Sequence, residues 1–156
     1  MLIQTLIIFM LYQFPESILM ILAALCLLGL KIRLGRLFIA GLALGVVGVF
    51  SRHFLSGIGL HTPVFLISLV IALFFSGKKS LPSSIIGCFL SFFLLILGES
   101  MLMTPIAGIF KISFDSILSS PFLHIVFGLV SDGFLMIAAI ICLCWRVTFI
   151  KVPESM

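Results

Sequence analysis

Long apolar runs broken by short polar or basic clusters make up almost the whole chain. A membrane-spanning helix needs about 20 mostly apolar residues, and five stretches reach or approach that length. The first, 2–30, is interrupted at Gln13-Phe14-Pro15-Glu16-Ser17 and closed by Lys31, Arg33 and Arg36. The second, 37–55, ends near Arg52, His53 and a turn over Ser56–Gly59. The third, 62–75, is short and stops at Gly77-Lys78-Lys79; the fourth covers 81–103 and the fifth 121–145. The pattern predicts an all-α fold, an integral membrane helical bundle of five transmembrane helices forming a single domain.

Local signals place the helix starts. Thr62-Pro63 and Ser120-Pro121 each set a hydroxyl at the N-cap and proline at the first helical position, where its missing N–H costs nothing. Ser80 before Leu81-Pro82 is a looser form of the same signal. Phe14-Pro15 has no such cap, which favours a kinked first helix with Leu2–Gln13 as its outer half. The alternative is an interfacial N-terminal helix followed by a short span. Between the fourth and fifth spans, Thr104–Ser119 mixes Pro105, Gly108, Lys111 and Asp115 with Ile106, Ile109, Phe110 and Phe114, a composition that suits an amphipathic segment on the outer leaflet. No internal repeat is visible, so an inverted-repeat transporter architecture finds no support.

Positive charge gives the bundle a direction, because cytoplasmic loops retain Lys and Arg. Lys31, Arg33, Arg36, Lys78, Lys79, Arg146 and Lys151 fall on one side, and Arg52 and Lys111 on the other. The N-terminus is therefore expected outside and the C-terminus in the cytoplasm of a multi-pass protein of the cell membrane. No basic n-region precedes the first apolar run and no small-residue cleavage site follows it, so the N-terminus is read as structure.

Composition agrees with the pattern. The chain is 63% hydrophobic and 9% charged, with a mean hydropathy of +1.46, against about 45–50% apolar and about 25% charged in soluble domains. A net charge of +4 would raise nucleic-acid binding in a soluble protein. Here the basic residues sit at the ends of apolar runs, where they set orientation and meet lipid headgroups. The expected partners are the lipid bilayer and a protein partner or second copy, with no nucleic acid. Cys26, Cys88, Cys142 and Cys144 lie within apolar runs without metal-ligand spacing, and read as small core or lipid-facing residues.

An ionisable side chain near the bilayer centre costs about 2.5–3.5 kcal/mol on insertion scales and is a functional candidate by default. Glu16 and Asp132 meet that description, at depths of roughly 21 and 17 Å from the outer face at about 1.5 Å per residue. They are candidates for one shared polar site, or for separate helix contacts. Glu99, in Gly98-Glu99-Ser100, lies nearer the outer surface, within reach of Arg52, His53 or Lys111. His61 joins His53 and His124 on the outer side; each is explained singly as an interfacial residue, and neither a metal nor any other cofactor is expected. Gly41, Gly45 and Gly48 form a small-residue stripe for close helix packing. The HExxH, GxSxG and phosphate-loop signatures are missing, so no catalytic residue is assigned and no enzyme is expected.

Several landmarks together resemble a known family. Phe14-Pro15-Glu16, the basic Lys31–Arg36 loop after Leu27-Leu28-Gly29, Gly59-Leu60-His61-Thr62-Pro63, Gly98-Glu99 and Ser119-Ser120-Pro121-Phe122 are similar to the N-terminal multi-helix membrane sensor region of sporulation-type and quorum-type histidine kinases of Gram-positive bacteria. The resemblance covers roughly residues 10–145. It implies a bacterial signal-transduction domain that senses a signal at or within the membrane and passes it to a cytoplasmic kinase module. Arg146–Met156 hold no phosphoacceptor-histidine or ATP-binding module, which departs from the family pattern. The expectation is a non-enzymatic sensor or regulatory subunit. The alternatives are a small proton- or cation-coupled transporter or channel subunit, or an accessory subunit of a larger membrane complex.

Overall fold

The computed structural model describes residues 9–55, 60–77, 80–113, 116–117 and 120–145. Residues 2–8 of the expected first span, the Ser56–Gly59 turn, Lys78, Lys79, Asp115 and the Arg146–Met156 tail lie outside the described residues, as does the side chain of His53. Among the described residues the structure is helical, without strands. A π-helical turn, Phe9–Gln13, runs into α1 (Phe14–Leu27); α2 is Leu34–Leu55, α3 His61–Gly77 and α4 Leu81–Gly98. A second π-helical turn, Glu99–Met103, joins α4 to α5 (Thr104–Ile109), and α6 (Pro121–Ser131) and α7 (Gly133–Trp145) follow.

Three of these helical stretches are long and apolar enough to cross a membrane: Phe9–Leu27, Leu34–Arg52 and Leu81–Ile109. Phe122–Ser131 and Gly133–Cys144, bent by 42° at their junction, make a fourth if the pair counts as one span. His61–Gly77 is apolar but shorter, at 17 residues. The outward faces carry large apolar side chains such as Phe38, Ile39, Phe50, Ile67, Phe75 and Phe93. A water-soluble surface rarely exposes so much contiguous apolar area, whereas hydrocarbon solvates it.

α1 is the centre of the bundle, packing on α2, α3, α4 and α7. Its Met20, Ile21, Ala23, Ala24 and Leu25 are fully buried, and Leu44, Leu69, Leu73, Cys88, Leu95 and Leu135 close around them. Small side chains at Ser17, Ala23 and Ala24 let neighbours approach from several directions. Glycines on those neighbours complete the fit. A Cβ at Gly41 would press on Ile18, one at Gly45 would lie 3.5 Å from the Phe14 backbone, and one at Gly48 would come within 2.8 Å of the Gln13 amide. The small-residue stripe thus faces α1. Cys26 and Cys142 are buried in a contact between α1 and α7, Cys88 is buried on α4, and Cys144 is exposed.

Both π-helical turns have one cause. A proline has no N–H and its ring collides with the carbonyl four residues earlier, so the ladder there must widen. Pro15 opposes the carbonyl of Leu11, and Pro105 that of Met101; each lies inside a π-helical turn. Helix continues through Gln13, whose backbone is helical, so Pro15 sits within a helix rather than beginning one. In the same way Thr104–Ile109, expected at the start of a separate amphipathic segment, prolongs the fourth helix. The Thr104 N–H and hydroxyl both donate to the Glu99 carbonyl five residues back.

Two helix ends show a further contrast. α1 stops at Gly29, with φ of 64°, where Leu30 N–H donates to the Leu25 carbonyl and Gly29 N–H to that of Cys26. This pairing favours glycine at the left-handed position. α5 ends with the same pairing around Lys111, at φ 53°, where a side chain makes the conformation costlier. At the starts, Ser80 and Ser120 have extended backbones before α4 and α6, without a side-chain capping bond. Thr62 differs from its expected N-cap role, because α3 already begins at His61 and the Val64 N–H finds the Leu60 carbonyl.

Candidate functional site

Glu16 is the single acid of α1 and is almost wholly buried, at 1% exposure. The widened turn before Pro15 brings Tyr12 and Gln13 onto its face of the helix. The Tyr12 hydroxyl donates to Glu16 Oε1 at 3.3 Å and the Gln13 amide to Oε2 at 3.0 Å. From α2, Arg52 Nη2 approaches Oε2 to 3.8 Å, and the same guanidinium lies 5.9 Å from the Tyr12 ring centroid. Charge-assisted contacts of this kind offset the desolvation of a buried carboxylate. The remaining edge of the Tyr12 ring meets His124 of α6 in a T-shaped contact at 5.2 Å. Its flank covers Gly128, where a Cβ would collide with it.

Tyr12, Glu16, Arg52 and His124 form one wall of a cavity of about 510 Å³. Glu16, Arg52, His61, Glu99 and His124 all line it, each from a different helix or helix end. The helix order explains the convergence: the start of α1, the end of α2, the start of α3, the end of α4 and the start of α6 share one end of the bundle. Between the polar groups, Phe65, Phe92, Leu95 and Phe127 supply apolar walls. Buried Glu16, Ser51 and Ser131 lie deep, while Glu99 and Arg52, whose side chain is 45% exposed, sit toward the surface. Most hydroxyls nearby are satisfied locally, Ser17 to the Gln13 carbonyl, Ser51 to Gly48 and Ser131 to Gly128. His61 Nδ1, by contrast, is buried with no hydrogen-bond partner among the described residues.

Asp132 occupies the break itself. The fifth span was expected to run unbroken over 121–145, yet α6 ends at Ser131 and α7 starts at Gly133 with Asp132 as the hinge. The Asp132 N–H donates to the Gly128 carbonyl and its own carbonyl accepts from Met136 N–H. The carboxyl is at 0% exposure, and neither oxygen has a hydrogen-bond partner among the described residues. Opposite the break stands Gly98. A Cβ there would drive into the Ser131 carbonyl, so α4 and the hinge meet backbone to backbone. Asp132 is within electrostatic reach of Glu16, Arg52 and Glu99 but shares no hydrogen bond with any of them among the described residues.

Of the four residues put forward as polar candidates, Glu16, Glu99 and His61 line the cavity, as does His124, and Asp132 follows directly on Ser131 of its wall. Arg52 faces Glu16 rather than Glu99, whose field it still feels. Lys111 is exposed beyond the end of α5. Tyr12 and Gln13 were not legible as site residues. The signal was there in the proline two or three positions ahead, which forces the wide turn that aims them at Glu16. Among the described residues no group of three or more His, Cys, Asp or Glu side chains is placed to hold a metal ion. No protein-family model, curated protein or solved structure matches this chain.

Proposed function

We propose that the chain is a multi-pass cell-membrane protein of five spans, with its N-terminus outside and C-terminus in the cytoplasm, that works as a non-enzymatic sensor or regulatory subunit. A small molecule enters the cavity from the outer face, and its binding is passed to a cytoplasmic partner through α7. The observation that carries this reading is the convergence of Glu16, Arg52, His61, Glu99 and His124 on one cavity walled by a broken helix.

A ligand in that cavity touches several helices at once, so its affinity depends on how they are arranged. A ligand that favours one arrangement shifts the population toward it. The break at Asp132 is the natural element to move, because α6 lines the cavity and α7 does not. α7 leads toward Arg146 and Lys151, the expected cytoplasmic end. The test is Asp132→Asn in the full chain. It is expected to insert and fold while changing partner association, read by co-purification in mild detergent. Unchanged assembly with unchanged output would count against signalling.

A broken helix with a buried acid at the break also supports a second reading, a proton- or cation-coupled transporter subunit, since such breaks line ion paths. Flux into proteoliposomes separates the two. Ion- or pH-driven flux that disappears in the Asp132→Asn variant favours transport, and its absence in the wild type favours sensing.

A further inference from the structure

The cavity has a charge and wall chemistry that select among ligands. We infer that its ligand is a small organic cation, a primary ammonium group on an apolar body. The inference rests on the cavity being a ligand site.

Charge is the first argument. Among the described residues, Arg52 is the one Lys or Arg side chain in the lining, and Glu16 already opposes it at 3.8 Å. Glu99 lines the same space, is exposed to it, and has no ion pair among the described residues. The surplus is negative. In a site walled by apolar groups, an uncompensated carboxylate attracts a cation more strongly than it would in water.

Donor and acceptor chemistry is the second. His61 Nδ1 is buried in the lining without a partner among the described residues, and an unprotonated imidazole nitrogen accepts a hydrogen bond. An ammonium carries three donors and no acceptor, which suits a site offering Glu99 and His61. An anion would instead meet Glu99 with repulsion and compete with Glu16 for Arg52.

The walls are the third. Tyr12, Phe65, Phe92 and Phe127 line the space between the polar groups, and aromatic faces attract cations within about 6 Å of the ring centroid. Tyr12 already holds one cation in this way, the Arg52 guanidinium at 5.9 Å. The volume of about 510 Å³ falls within the range of roughly 300–1,000 Å³ typical of small-molecule sites.

The test uses the full chain in nanodiscs of zwitterionic phospholipid and three probes of similar size: 2-phenylethylamine, 2-phenylethanol and phenylacetate. Calorimetric titration is expected to rank the amine roughly tenfold tighter than the alcohol, with the carboxylate weakest, a spacing of about 1.4 kcal/mol per tenfold step. Glu99→Gln, a change at an exposed position, is expected to weaken the amine by about tenfold and leave the alcohol within about threefold, the alcohol thereby reporting an intact cavity. A carboxylate that binds as well as the amine, or amine affinity unaltered by Glu99→Gln, overturns the cationic ligand and leaves the sensor site standing. Binding of none of the three overturns both.

Discussion

The guanidinium of Arg52 stands 3.8 Å from the carboxylate of Glu16, joining the end of α2 to the start of α1 at a point where Glu16 is almost wholly buried. The pair is asymmetric, because Arg52 reaches the surface and Glu16 does not. Removing the cation therefore strands a buried charge, whereas removing both charges leaves neutral groups that still hydrogen-bond. Arg52→Gln is expected to lower unfolding stability in detergent by about 1–3 kcal/mol. Glu16→Gln in the same background should restore most of that loss. A double-mutant cycle by thermal or denaturant unfolding measures the coupling, and additive single effects would show that the two groups do not interact.

Asp132 predicts the opposite sign. Its carboxyl is buried with no donor among the described residues, so the charged form has no local compensation. Asp132→Asn should keep or raise stability, by up to about 1 kcal/mol, with insertion unchanged. A loss larger than that, read by the same unfolding assay, would reveal a partner that the carboxylate needs.

The backbone contact between Gly98 and Ser131 leaves no room for a methyl group. Gly98→Ala should destabilise by about 1–3 kcal/mol or more, since neither backbone can yield as a side chain does. Gly35 is the control: a Cβ there meets nothing within 4 Å, so Gly35→Ala should be neutral or stabilising by up to about 1 kcal/mol from helix propensity. Equal effects at the two positions would contradict the close packing of α4 on the hinge.

Lys111 holds φ at 53° in the turn that ends α5. Lys111→Gly removes the Cβ penalty of the left-handed conformation and should stabilise the fold by roughly 0.5–1 kcal/mol. The side chain is exposed, so little contact energy offsets the gain. A fall in melting temperature would show that the ammonium has an anchoring role.

What the sequence determined by itself is the character of the chain and the identity of its unusual residues. Apolar runs of helical length, bounded by Lys, Arg and proline, suffice for an apolar helical bundle, because hydrocarbon admits only backbones that satisfy their own hydrogen bonds. The same logic singles out Glu16 and Asp132, since charge is expensive there, and the Gly41, Gly45 and Gly48 stripe, since only small residues permit close approach. Tertiary structure decided the rest. The span over 121–145 contains no proline at its centre, and Asp132-Gly133 is a local turn signal too weak to fix a break by itself; the break lies where α4 presents Gly98 to the Ser131 carbonyl. Nor does spacing along the chain say that Glu16, Arg52, His61, Glu99 and His124 share one cavity. That follows from the alternation of helix directions around α1, which gathers residues distant in sequence at one end of the bundle and sets Glu16 beside Arg52 rather than beside Asp132.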